Sequence, residues 1–121
     1  MAVVLIIDDS PTELHLFQNM LEKNGFETMV ADSGAEGIRQ AGAGRPDIIL
    51  MDVVMPGMNG FQATRKLTKD PRTASIPVIM ITTKDQETDK IWGMRQGAVE
   101  YLVKPIDEKQ LISKINSVMA G

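Results

Sequence analysis

Four short apolar runs in this chain stop at residues able to do chemistry. Val3 to Ile7 leads into Asp8-Asp9, and Ile48 to Met51 leads into Asp52. Val78 to Ile81 leads into Thr82-Thr83, and the weaker run Tyr101 to Val103 leads into Lys104-Pro105. Taken singly, each group has a plain structural reading: Asp8 and Asp9 favour the start of a following helix, and Asp52 opens a turn. Jointly they exceed what capping requires. Carboxylates crowded together repel, so one must protonate or a cation must bind. A hard divalent ion is the natural counter-charge, and Mg²⁺ keeps several waters while leaving room for a phosphate. The chain has no cysteine, so no thiolate competes for zinc or copper. A carboxylate beside Mg²⁺ can attack phosphorus and form an acyl phosphate. Lys104 would neutralise the phosphoryl oxygens and Thr82 would donate a hydrogen bond to them.

Composition narrows the alternatives. The 121 residues are 43% hydrophobic and 24% charged, enough for one core and one domain spanning residues 1–121. The net charge of −3 gives no basic signal for a nucleic acid partner. The absence of cysteine excludes disulfides, thiolate metal sites and Cys nucleophiles, and a single histidine comes close to excluding His-based zinc sites and Ser–His–Asp triads. No basic region followed by a long apolar run opens the sequence, and the apolar stretches are strand-sized. The expectation is a cytoplasmic protein without membrane insertion.

The elements that must position these groups alternate in period. Continuous Ile- and Val-rich runs suit strands buried on both faces of a parallel sheet. A further weak strand, Thr28 to Ala31, ends in Asp32, read as part of the next helix start. Leu14, Phe17, Met20 and Leu21 mark one helical stripe, and Leu111, Ile112, Ile115, Val118 and Met119 another. Ser10-Pro11-Thr12-Glu13 predicts an N-cap with Glu13 closing a capping box; Ser33 with Glu36 repeats it, and Asp107 with Gln110 is a weaker version. Gly25 and Gly97 fall where left-handed caps end helices. The sum is strand–helix repeated five times: α/β, parallel, helices on both faces, with ligands expected outside the carboxyl ends of the strands.

At these residues the chain resembles the receiver domain of bacterial two-component response regulators. The matching pieces are Leu5-Ile-Ile-Asp8-Asp9-Ser10, Asp47 through Asp52 to Pro56-Gly57 and Gly60, Val78-Ile-Met-Ile-Thr82, and Gly97-Ala98 leading to Tyr101-Leu-Val-Lys104-Pro105. The resemblance implies a doubly wound (βα)5 flavodoxin-like fold with strand order 2-1-3-4-5. It implies that Asp52 accepts a phosphoryl group from a partner histidine kinase. Asp9, Asp52 and the Val54 carbonyl would ligate Mg²⁺, with Asp8 acting mainly through a water. Thr82 and Lys104 would contact the phosphoryl oxygens, with a cis Lys104–Pro105 peptide. It implies a Thr82–Tyr101 switch acting on a downstream protein through the fourth helix, fifth strand and fifth helix. Only Ala120-Gly121 follow the last helix, as expected of the stand-alone chemotaxis type. Residues Gly60 to Asp70, Thr82 to Lys90, Trp92-Gly93 and Arg95 to Gly97 resemble regulators of type IV pilus twitching motility. Action on a flagellar motor, or service as a phosphate sink for a shared kinase, are the alternatives.

Other residues read more plainly. His15 is a solvated or partly packed side chain, and Met20, Met51 and Met80 fill core. Met55 and Met58 either pack or shield an acyl phosphate from water. Trp92 reads as packing on the fourth helix, and Lys84 lies near the site by family position. Rival functions fail on specifics. An FMN phosphate would be repelled by Asp8-Asp9, and no Gly-rich loop ends in Lys and Ser or Thr as a P-loop requires. Val54 stands where an aspartate-nucleophile phosphatase carries its second acid, so a phosphorylatable switch fits better than an enzyme.

Overall fold

The computed structural model describes residues 2–121. Its elements run β1 (Val3–Ile7), α1 (Pro11–Lys23), β2 (Glu27–Ala31), α2 (Gly34–Gly44), β3 (Ile48–Met51), α3 (Gly60–Lys69), β4 (Val78–Thr82), α4 (Glu87–Arg95), β5 (Glu100–Val103) and α5 (Glu108–Ala120). All strand pairs are parallel, in the order β2-β1-β3-β4-β5. This is the expected doubly wound flavodoxin-like arrangement.

Side chains alternate faces along a strand, and that parity divides the core in two. Val4, Ile6, Ile48, Leu50, Ile79, Ile81 and Leu102 pack with Phe17 and Leu21 of α1 and Leu111 and Ile115 of α5. Leu5, Ile7, Ile49, Met51, Val78, Met80 and Tyr101 pack on the other side with residues of α2 and α3, including Ala41, Ala63 and Leu67. Of the α4 residues, only Gly93 is buried.

The register sets the functional edge. Ile7 lies opposite both Ala31 and Met51, so Asp8 and Asp52 leave the sheet side by side. Their backbones stay anchored to the ladder: Asp8 N–H donates to Ala31 O at 3.1 Å, Asp52 N–H to Ile7 O at 2.9 Å, and Lys104 N–H to Thr82 O at 2.8 Å.

Helix starts are capped at Ser10, Ser33 and Asp107, whose side chains accept the N–H of Glu13, Glu36 and Gln110. The three expected capping boxes are only half formed. Glu36 pairs with Arg39 instead, and Glu13 with Lys104. The N–H of Ser10, which Glu13 would need, is already donated to Asp8 Oδ1 at 2.9 Å. A reciprocal box forms where none was expected, between Asn59 and Gln62 at the start of α3. Gly25 and Gly97 have φ of 89° and 111°, the left-handed conformation foreseen for them.

Candidate functional site

Asp8, Asp9 and Asp52 converge at the carboxyl edge of β1 and β3, each offering a carboxylate oxygen within 4.8 Å of the others. Asp8 is buried, Asp52 partly so, and Asp9 exposed. Lys104 reaches the cluster from the end of β5. Its Nζ lies 3.2 Å from Asp8 Oδ2, 2.9 Å from Glu13 Oε1 and 3.8 Å from Asp52 Oδ1. Phe17, one turn after Glu13 on α1, brings its ring centroid to 5.9 Å from the same ammonium. The Lys104–Pro105 peptide is cis.

Asp52 is held from several sides. Its Oδ1 accepts the Val53 N–H at 2.9 Å. The following loop turns back through Gly60 N–H, which donates to Val53 O at 2.8 Å. A Cβ on Gly60 would stand 2.1 Å from the Asp52 carbonyl oxygen, so only glycine allows this approach. Met55 is buried in the core and Met58 packs over Gly34, so packing accounts for both. Val54, beyond Asp52, is exposed.

The electrostatics suit a cation. Burial and the neighbouring Asp8 charge push Asp52 up to about 6, against the opposing pull of Lys104 and the Val53 N–H, with Asp9 adding a smaller push. Burial alone would lower the Lys104 ammonium; Glu13, Asp52 and Asp8 together outweigh it and hold it above the ordinary lysine range. Acid oxygens without soft donors are what a hard divalent ion takes. The trio therefore fits Mg²⁺, with the Val54 carbonyl nearby in sequence as a further oxygen.

Thr82 and Tyr101 belong to the other face of the sheet. Thr82 is fully buried, and its Oγ1 accepts the Lys84 N–H at 3.2 Å. Tyr101 is buried too, and its hydroxyl donates to Lys84 O at 2.8 Å. One residue's backbone thus joins the two expected switch side chains. Burial pushes the Tyr101 phenol up to about 12, aided by Asp89 and Asp85. The Lys84 ammonium turns to Asp89, 3.4 Å away. Trp92 stands 50% exposed on α4 and is a surface residue, not the packed side chain expected from sequence. His15 is exposed and outside the site.

The model of the response regulator receiver domain matches residues 4–116. This chain belongs to the response regulator receiver family. The receiver is 59% identical over 121 residues, the full length of both chains, to Protein PilH of Pseudomonas aeruginosa. It is 40% identical over 117 residues to Response regulator PleD of Caulobacter vibrioides, covering 97% of this chain and 26% of that one. Among solved structures, chemotaxis protein CheY4 of Vibrio cholerae superposes with a TM-score of 0.92 at 32% identity, covering 98% of each chain. A putative response regulator from Chloroflexus aurantiacus gives 0.94 at 30%, covering 99% of this chain and 98% of that one. Receiver domains take part in two-component signalling as phosphoacceptors, interact with histidine kinases and downstream targets, and generally bind Mg²⁺ at an acidic pocket.

Two contributors escaped the sequence reading. Glu13 reads from sequence as half of a capping box, and Gly60 enters only as part of the matching motif, without a role. The only available signal for Glu13 was its one-turn spacing from Phe17 on the helix that follows Asp8-Asp9. A surface groove of about 750 Å³ along Gln62, Arg65, Lys66 and Lys69 of α3 contains none of the converging groups.

Proposed function

We propose that the receiver accepts a phosphoryl group on Asp52 from a histidine kinase of a chemotaxis-like system. The observation that carries this reading is the position of Asp52, between an acidic trio and the Lys104 ammonium at 3.8 Å. The phosphorus–nitrogen bond of the kinase's phosphohistidine breaks as an Asp52 carboxylate oxygen bonds to phosphorus, and the imidazole leaves with the electron pair. Asp8, Asp9, Asp52 and the Val54 carbonyl would hold Mg²⁺, which supplies positive charge to the transferring oxygens. Lys104 neutralises further charge on the phosphoryl group, and Thr82 turns its hydroxyl from Lys84 N–H toward it. Small phosphodonors serve the same reaction, and loss of the phosphoryl group to water is slow, since no second acid follows Asp52.

The signal leaves through the α4–β5–α5 face. Lys84 N–H loses its acceptor when Thr82 turns, and the same residue's carbonyl holds Tyr101. Ile91, Trp92, Met94, Val99 and Val103 are exposed on or beside α4 and β5, more apolar surface than solvation alone favours. That surface favours a downstream protein target over a pure phosphate sink. Among the described residues no helix is long and apolar enough to cross a membrane. Full-length similarity to PilH, with the α3 and α4 segments already noted, supports a cytoplasmic role in type IV pilus twitching motility.

Acetyl phosphate with Mg²⁺ should add one hydroxylamine-labile phosphoryl group to the wild type and none to Asp52→Asn. Retention of the label in Asp52→Asn defeats the assignment.

A further inference from the structure

Of the three carboxylates around Lys104, the nearest lies outside the acidic trio. Glu13 Oε1 is 2.9 Å from Nζ, closer than Asp8 at 3.2 Å or Asp52 at 3.8 Å. Its placement follows from the chain's own hydrogen bonding. Ser10 Oγ accepts the Glu13 N–H and pins the residue in the first turn of α1, while Asp8 takes the Ser10 N–H that the Glu13 carboxylate would otherwise accept. Glu13 is thereby released to face Lys104. Phe17, at i+4, lies on the same helix face and packs against the same ammonium.

We propose that Glu13 is a positioning residue that competes with an incoming phosphoryl group for Lys104 and so limits how tightly the site holds it. The inference rests on the phosphoacceptor reading and adds its regulation. An ammonium has three N–H donors. Asp8 accepts one of them, Glu13 forms the closest ion pair at 2.9 Å, and Asp52 at 3.8 Å is too far for a hydrogen bond. With a divalent cation held by Asp8, Asp9 and Asp52, two of these carboxylates would be shared between the metal and Lys104. Glu13, outside the trio, remains its partner. An anion arriving at Asp52 must then share the ammonium with a second negative group, which holds Nζ toward α1 and repels the newcomer.

Beryllofluoride in saturating Mg²⁺ is the probe, its affinity measured by calorimetry beside a denaturant titration of each variant. Glu13→Gln should bind it about fivefold to tenfold more tightly than wild type, the size expected of one nearby charge in a partly screened site. A merely structural role would lower stability and weaken binding together. Glu22→Gln removes the same charge about 13 Å further along α1 and should stay within about twofold of wild type. Glu13→Asp withdraws the carboxylate by one methylene and provides a second arm, with a smaller gain in the same direction. Unchanged or weaker binding in Glu13→Gln overturns the proposal, and so does equal tightening in Glu22→Gln. A wild-type chain that binds no beryllofluoride overturns the phosphoacceptor reading and this inference with it.

Discussion

The two sides of the carboxyl edge are held together very differently. On the α1 side, Lys104 ties three carboxylates from three elements to one ammonium, and Asp52 is anchored through its own N–H, its Oδ1 and the close approach of Gly60. On the α4 side, a helix with only Gly93 buried rests on Tyr101 and Met80, and the backbone of Lys84 links the Thr82 and Tyr101 side chains. The contrast separates two needs. The proposed phosphoryl transfer would require groups that cannot drift, because electrostatic stabilisation depends on fixed distances. A response requires an element with two arrangements close in energy, and few bonds leave α4 that freedom.

Matched glycine substitutions give the largest test of this contrast. The Cβ of Gly60→Ala would meet backbone, the Asp52 carbonyl at 2.1 Å, whereas that of Gly93→Ala would meet Met80 Sδ at 2.8 Å and the Tyr101 ring at 2.9 Å. Urea titrations should show Gly60→Ala losing about 3 kcal/mol and Gly93→Ala about 1 kcal/mol. Equal losses would break the comparison.

A smaller effect comes from Asp52 itself. Its carboxyl is raised to about 6 in the folded protein from an ordinary 3.8. Below about pH 3 it is mostly protonated folded or unfolded, and the stability associated with the raised pKa is present. That stability is lost as the pH rises through about 6, where the folded protein must carry the charge. Asp52→Asn should therefore match wild type near pH 3 and exceed it by about 1–2 kcal/mol at pH 7.5 without Mg²⁺. The shift alone corresponds to about 3 kcal/mol, reduced here because the carboxyl is only partly screened from water. Mg²⁺ should erase the advantage. Asp9, exposed and the weakest contributor to the shift, is a poorer choice for this test.

The smallest effect is on the α4 side. Tyr101→Phe removes the hydrogen bond to Lys84 O and should cost about 1 kcal/mol or less. Amide exchange should quicken at Lys84 while Val53, beside Asp52, keeps its wild-type rate. Equal acceleration at both amides would show that the two sides are coupled more rigidly than the contacts suggest.

Much of this architecture was legible in one dimension. Buried parallel strands need apolar residues on both faces, so their positions and the polar residues ending them stood out as runs. Ser10, Ser33 and Asp107 announced helix starts because unsatisfied N–H groups at a helix start require a nearby acceptor. Placing Asp8, Asp9, Asp52, Thr82 and Lys104 at strand ends needed no coordinates. Their division did. Strand parity sends Asp8, Asp52 and Lys104 toward α1 and α5 but Thr82 and Tyr101 toward α2, α3 and α4. Glu13 changed meaning altogether: local rules make it the partner of Ser10, yet Asp8 occupies that N–H and Lys104, 91 residues away (104 − 13), receives the carboxylate. Local hydrogen-bonding rules name the acceptors a backbone requires, but a long, charged side chain goes where the folded chain leaves an opposite charge within reach, and only the tertiary structure decides where that is.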